Sequence, residues 1–399
     1  MYETLAILAI FVFFYSITCG GLERTPINGA LVYTAFGVLF GPLCVDFIEL
    51  DIDAEGIKTL AELTLALVLF IDAANANLGI LKTFFKIPTR LLLIALPLII
   101  LLGFGTGVMI FEDLTLIEIA ILATLLAPTD AALGKAVVTN QAVPEKIREG
   151  LNVESGLNDG ICVPVLFIFL ALAAGSGQGH DSTSHMAMIL VAEEIGIGVV
   201  VGLGIAAVGA WTMRQCAGRG WIIEIWRQVA IPAMAVACFA SAQALGGSGF
   251  IASFVGGMLF GWLAEQHRHA LLLAAEGTSE TMALLTWVIF GAVVISKTID
   301  YFTFEILVYS ILSLTVIRML PVYLVLFGLN LRSDEKLFIG WFGPRGLASI
   351  VFAVVVLNEQ LAGSGTIALT AVCTILLSVI GHGLSANPLV SLLVKQNQH

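Results

Sequence analysis

The chain has 399 residues, of which 59% are apolar and only 12% charged, with a mean hydropathy of +1.01 and a formal net charge of −11. Soluble proteins carry about 25% charged residues, so this composition excludes a string of water-soluble domains. It predicts one polytopic membrane domain over residues 1–399, with no soluble regulatory domain. The acidic balance gives no basic surface for nucleic acid.

Apolar runs between polar loops predict an all-α protein of about thirteen transmembrane helices, near 4–19, 28–44, 58–76, 90–111, 115–137, 147–173, 187–212, 225–245, 248–264, 280–297, 303–329, 337–357 and 364–394. The first lacks a preceding basic segment and reads as a retained helix, not a cleaved leader. Six cysteines, Cys19, Cys44, Cys162, Cys216, Cys238 and Cys373, are scattered through apolar segments with neither disulfide nor zinc spacing. No cofactor is expected.

Basic residues set an expected orientation. Arg24, Lys82, Lys86, Arg90, Lys135, Lys146, Arg148, Arg214, Arg219, Arg227, Arg268, Arg332, Lys336 and Lys395 follow odd-numbered spans, whereas Lys58 and Lys297 fall on the other side. Basic loops mark the cytoplasm, which puts the N-terminus outside and the C-terminus inside an inner or plasma membrane. Acids show the reverse bias. Asp46, Glu49, Asp51, Asp53 and Glu55 share one outer loop, and Glu112, Asp113, Glu118 and Asp181 fall in others. These read as solvated loops that could also concentrate cations.

Two spans carry helix breakers. Ala127-Pro128-Thr129-Asp130 interrupts the fifth, and Gly343-Pro344-Arg345-Gly346 the twelfth. Proline removes a backbone donor and crowds the preceding turn, and unwound backbone at membrane depth survives only inside protein or beside water. Seven crossings apart, the two run in opposite directions. They read as an inverted pair of discontinuous helices in two inverted six-helix halves, the arrangement that marks a secondary transporter's site.

The sixth span supplies candidate ligands. Asp159 lies eleven residues beyond Arg148, roughly 16 Å at 1.5 Å per residue, near the middle of the hydrocarbon. Ser155 and Asp159 share one helical face, with Glu154 and Asn158 beside them. Hard oxygens of this kind suit Na⁺, Li⁺ or K⁺ better than transition metals. A poorly solvated acid keeps its proton unless a cation replaces it, so one carboxyl group can exchange the two. Arg318 and Arg345 are the basic residues inside spans, and Glu154 is expected to pair with one of them. Asp72, near the end of the third span, either lines the ion path or is an interfacial acid. The chain lacks the repeated carbonyl loop of a passive cation channel and the His-Glu-x-x-His of a metalloprotease.

These motifs resemble the monovalent cation/proton antiporter superfamily, in its sodium/proton exchanger (NhaP/NHE-type) branch. The matching residues are Ala127-Pro128-Thr129-Asp130, Pro144 with Arg148 leading into Glu154-Ser155-Gly156-Leu157-Asn158-Asp159-Gly160, and Gly340-Trp341-Phe342-Gly343-Pro344-Arg345-Gly346. The resemblance implies a homodimeric antiporter that exchanges Na⁺ or Li⁺ for H⁺. It implies a mobile core near 90–173 and 303–394, and a dimerisation scaffold near 4–76 and 187–297. It also implies Asp159 as the ion and proton carrier, with Thr129, Asp130 and Ser155 completing the cation shell. Asn158 stands where electrogenic relatives carry a second aspartate, which implies electroneutral exchange. Two departures matter. Many relatives have Glu where this chain has Asp72, and charged residues where it has Asn75-Ala76-Asn77.

Overall fold

The computed structural model describes residues 2–22, 25, 27–45, 47, 54–76, 85–130, 133–138, 140–176, 181–264 and 268–397. The acids Asp46, Glu49, Asp51 and Asp53 and the basic residues Arg24 and Lys82 lie outside the described residues. Among the described residues, all regular secondary structure is helical.

Helices α1 (Tyr2–Leu22), α2 (Gly29–Phe40) and α3 (Ala54–Asn75) come first, then α4 (Lys86–Ile110). A short α5 (Leu116–Leu125) stops at the first break, beyond which a single turn forms α6 (Lys135–Val138). There follow α7 (Glu145–Ser176), α8 (Asp181–Gly218), α9 (Glu224–Ala244) and α10 (Gly249–Leu263). The next, α11, starts as Arg268–Ile289 and continues through a π-turn, Phe290–Ile295, to Tyr301. Then come α12 (Phe304–Val325), α13 (Ser333–Trp341), the second break, α14 (Leu347–Asn358) and α15 (Ser364–Asn397). Among the described residues, seven stretches are long and apolar enough to cross a bilayer, and five shorter apolar helices of 10–17 residues accompany them.

Proline alone does not break these helices. Pro164, Pro232, Pro321 and Pro388 sit inside continuous helices. At Pro128 and Pro344 the chain is unwound, and there residues of the opposite break accept or donate released backbone bonds.

Two expectations need correction. The span predicted at 280–297 begins twelve residues earlier, at Arg268. Glu276 and Glu280 suggest a loop, but Glu276 is anchored, its Oε1 accepting from Asn75 Nδ2 at 2.6 Å. Glu118 is no solvated loop acid either. Its carboxylate accepts from Thr115 N at 2.8 Å in a capping box on α5, and from Gly363 N at 2.6 Å, with 4% of the residue exposed.

Small residues govern the packing, as expected where lipid supplies no hydrophobic drive between helices. A Cβ on Gly257 or Gly261 of α10 would strike the Phe70 or Ala74 carbonyl of α3, and one on Gly202 of α8 would strike Ala252. Gly156 of α7 faces the Asp72 carbonyl, where a Cβ would sit at 3.3 Å, and Gly160 presses on Phe254. Through these contacts α7 lies against α3 and α10 while its other side meets the two breaks.

Candidate cation-binding site

The two unwound segments are bonded directly to one another. Asp130 N donates to Pro344 O at 2.8 Å. The Asp130 carboxylate then reaches across: its Oδ2 accepts from Leu347 N at 2.9 Å, at the start of α14. Arg345 makes the reverse reach, donating to the carbonyls of Ala127 at 2.7 Å and Pro128 at 3.0 Å, just past the end of α5. Helix N-termini carry partial positive charge and C-termini partial negative charge. Each break therefore supplies the charge that the opposite half-helix end requires. Ser349 Oγ donates to Leu125 O at 2.9 Å, and Ser378 Oγ accepts from Arg345 N at 2.7 Å, completing the crossing.

Both glycines of the second break are required by close approach. A Cβ on Gly346 would land on the Asp130 carboxylate, with Cγ at 2.5 Å. One on Gly343 would sit 2.8 Å from Cζ of Arg318.

Helix α7 presents its polar face to this crossing. Ser155 Oγ donates to Thr129 O at 2.6 Å, and Asn158 Nδ2 donates to Thr129 Oγ1 at 2.6 Å. Four residues on from Ser155, Asp159 is 7% exposed. Among the described residues, neither its Oδ1 nor the Oδ1 of Asn158, both buried, has a hydrogen-bond donor. Unsatisfied buried acceptors are rare, because each forfeits its hydration. Both lie on the same turn of α7, at successive positions. A pocket lined by Thr129, Asp130, Leu151, Ser155, Phe342 and Pro344, among others, lies beside the two breaks; Asn158 and Asp159 are not part of its lining.

Glu154 belongs to a separate arrangement. Arg318 Nη1 donates to its Oε1 at 2.5 Å and Nη2 to its Oε2 at 2.8 Å, with Arg318 1% and Glu154 2% exposed. The geometry is the two-pronged guanidinium–carboxylate fork. Helix α12 brings Arg318 there after an interruption at Thr315, between Leu314 and Val316. Thus Glu154 faces Arg318, and Arg345 serves the carbonyls of the first break.

Asp72 is half-buried on α3, its backbone against Gly156 and one turn from Asn75. Thr129, Asp130, Ser155, Asn158 and Asp159 therefore converge at the crossing, and Asp72 lies on the adjoining helix.

A family profile described as "Sodium/hydrogen exchanger, transmembrane" matches residues 8–392. The chain belongs to the sodium/hydrogen exchanger family. Like other members of this cation/proton antiporter family, it is an integral membrane protein. It is 25% identical over 358 residues to a Na(+)/H(+) antiporter of Saccharomyces cerevisiae, covering 84% of this chain and 36% of that one. It is 23% identical over 283 residues to the K(+)/H(+) antiporter NhaP2 of Shewanella sp. strain ANA-3, covering 70% of this chain and 48% of the relative. The chain thus spans about a third to a half of the length of these relatives. The sodium proton antiporter MjNhaP1 of Methanocaldococcus jannaschii superposes with a TM-score of 0.77 at 20% identity, covering 96% of this chain and 99% of that one. The exchanger fold is therefore shared at low identity.

Several residues of the site escape a reading of motifs alone. Ser378 holds the Arg345 backbone, and His382 Nε2 meets the Trp341 carbonyl at 2.9 Å, at the end of α13. A signal was present: Thr370, Thr374, Ser378 and His382 recur every four residues along apolar α15, and all are buried. Spacing of four places them on one face, and that face meets α12, α13 and the second break.

Proposed function

We propose that this protein is a secondary antiporter that exchanges Na⁺ or Li⁺ for H⁺, one for one, by alternating access. Asp159 carries either the cation or the proton. The observation that supports this most directly is the difference between Asp159 and the other buried charges. Glu154 is neutralised by Arg318, and Asp130 and Arg345 each answer a helix end. Asp159 keeps a buried oxygen without a donor. A monovalent cation or a proton would each cancel its charge, so the two loaded forms carry the same net charge. Asn158 adds no second titrating group, which supports electroneutral exchange.

In this reading Ser155, Thr129 and Asn158 complete the cation shell through their oxygens. Asp130 contributes mainly by holding the second half-helix, and Asp72 adjoins the ion path. Counting each broken pair as one crossing gives thirteen, with the N-terminus outside and the C-terminus cytoplasmic in a cell membrane. The halves would be inverted repeats, with a moving core near 90–173 and 303–394 on a homodimeric scaffold near 4–76 and 187–297. A K⁺/H⁺ antiporter on the same site is the second reading, favoured by the name of the Shewanella relatives.

The test is dequenching of a pH-sensitive dye in proteoliposomes, with Na⁺, Li⁺ and K⁺ added in turn. Na⁺ or Li⁺ should release trapped protons in the native protein and not in Asp159→Ala, with both equally folded by thermal unfolding. Undiminished exchange by folded Asp159→Ala would remove the site; dequenching by K⁺ alone would favour the second reading.

A further inference from the structure

We propose that the adjoining ends of α8, α9 and α10 form a binding site for the phosphate headgroup of an anionic membrane lipid. Four of the six tryptophans gather here: Trp211, Trp221, Trp226 and Trp262 are 62%, 66%, 67% and 64% exposed. The other two, Trp287 and Trp341, are turned inward. Tryptophan combines an apolar body with one N–H donor, and it collects where hydrocarbon gives way to headgroups.

The same ends are basic in a chain of net charge −11. Between Trp211 and Arg227 lie Arg214, Arg219 and Arg227 against one acid, Glu224. Arg219 holds its guanidinium carbon 5.1 Å from the centre of the Trp221 ring, and both side chains are exposed. That geometry is a cation–π contact that still leaves guanidinium N–H groups turned to the surface. Arg214, also exposed, donates to the Leu263 carbonyl, which ties the end of α8, beyond Trp211, to the end of α10, beside Trp262 in sequence.

The platform is held by its backbone. After α8, Gly220 takes φ +69, and Trp221 N donates to Cys216 O at 2.9 Å, the closure of a helix C-terminus. Guanidinium groups set among indoles at the membrane surface fit a phosphodiester whose acyl chains descend beside the rings. Glycerophospholipid is the occupant this chemistry selects. Free phosphate would use the arginines alone, and a second copy of this face would set arginine against arginine.

The experiment uses the whole protein in nanodiscs of phosphatidylcholine, with or without phosphatidylglycerol, read by native mass spectrometry and thermal unfolding. Phosphatidylglycerol should remain bound and raise the unfolding midpoint of the native protein. The Arg214→Gln/Arg219→Gln double variant should retain it at least tenfold more weakly and lose the rise. Arg214→Lys/Arg219→Lys should keep most of both, and all three proteins should exchange cations equally in phosphatidylcholine liposomes. Equal retention by the Gln variant would overturn the proposal. So would equal protection by inorganic phosphate, or a change in dimer content without a change in bound lipid. Because exchange is read separately, loss of the lipid effect leaves the antiporter reading untouched.

Discussion

Asp130 and Arg345 are exchanged between the two breaks: each leaves its own segment to satisfy the end of the other's half-helix. The carboxylate takes the Leu347 N–H and the guanidinium takes the Ala127 and Pro128 carbonyls. Both groups answer the same crossing. Their effects are therefore expected to be coupled. Asp130→Asn and Arg345→Gln should each lower the unfolding midpoint and remove most exchange. The double variant should lose less stability than the sum, by about 0.5–3 kcal/mol. Strict additivity in a thermal-unfolding cycle would show that the two act independently.

Gly346 is the position where the crossing has no room. Gly346→Ala should displace the Asp130 carboxylate and abolish exchange even where the protein folds. Gly105 is a fitting control, since a Cβ there meets nothing within 4 Å. In mid-helix, Gly105→Ala should be neutral or gain up to about 1 kcal/mol. Proteoliposome exchange and unfolding midpoints, measured on both, separate the outcomes.

The Glu154–Arg318 fork predicts a different signature. Glu154→Gln leaves a guanidinium 1% exposed without its anion, and breaking such a pair costs about 3–5 kcal/mol. Replacing both partners, as in Glu154→Leu/Arg318→Met, should restore much of that loss. Folded yield and unfolding midpoint are the measurements. A single variant as stable as the native protein would contradict the assignment.

The competition proposed at Asp159 fixes the sign of the expected pH effect. As pH falls, the carboxyl group is increasingly protonated, so the apparent KM for Na⁺ should rise, by up to about tenfold per pH unit. The maximal rate at saturating Na⁺ should hold over that range. Asn158→Asp adds a second acid and should make exchange respond to an imposed potassium diffusion potential, to which the native protein should be indifferent. A KM independent of pH would speak against a shared carboxyl group.

Local chemistry made part of this site legible before any coordinates. The Pro128 and Pro344 segments stand out because each combines proline with a charge at membrane depth. The four-residue spacing of Ser155 and Asp159 needs only helix geometry. The choice between Arg318 and Arg345 was not legible, because a guanidinium reaches several ångströms and its partner depends on how α12 and α14 are packed. Glu118 misled by its acidity, although Thr115-x-x-Glu118 is the spacing of a capping box. The early start of α11 was hidden for a related reason. Its acids look solvent-bound until Asn75 of another helix is seen to hold Glu276. The role of Asp130 also depends on tertiary contact, since the arrival of α14 brings the Leu347 N–H to its carboxylate.

Because the halves of the crossing are stitched through Asp130, Arg345 and Ser349, neither can shift alone without stranding a buried charge. Any displacement that turns Asp159 from one side of the bilayer to the other must carry both broken helices together with α7. In the proposed alternating-access cycle, the surface expected to yield is the glycine-faced seam where Gly156 and Gly160 meet α3 and α10. A smooth track of missing side chains, more than any hinge, would then set how far the load can travel.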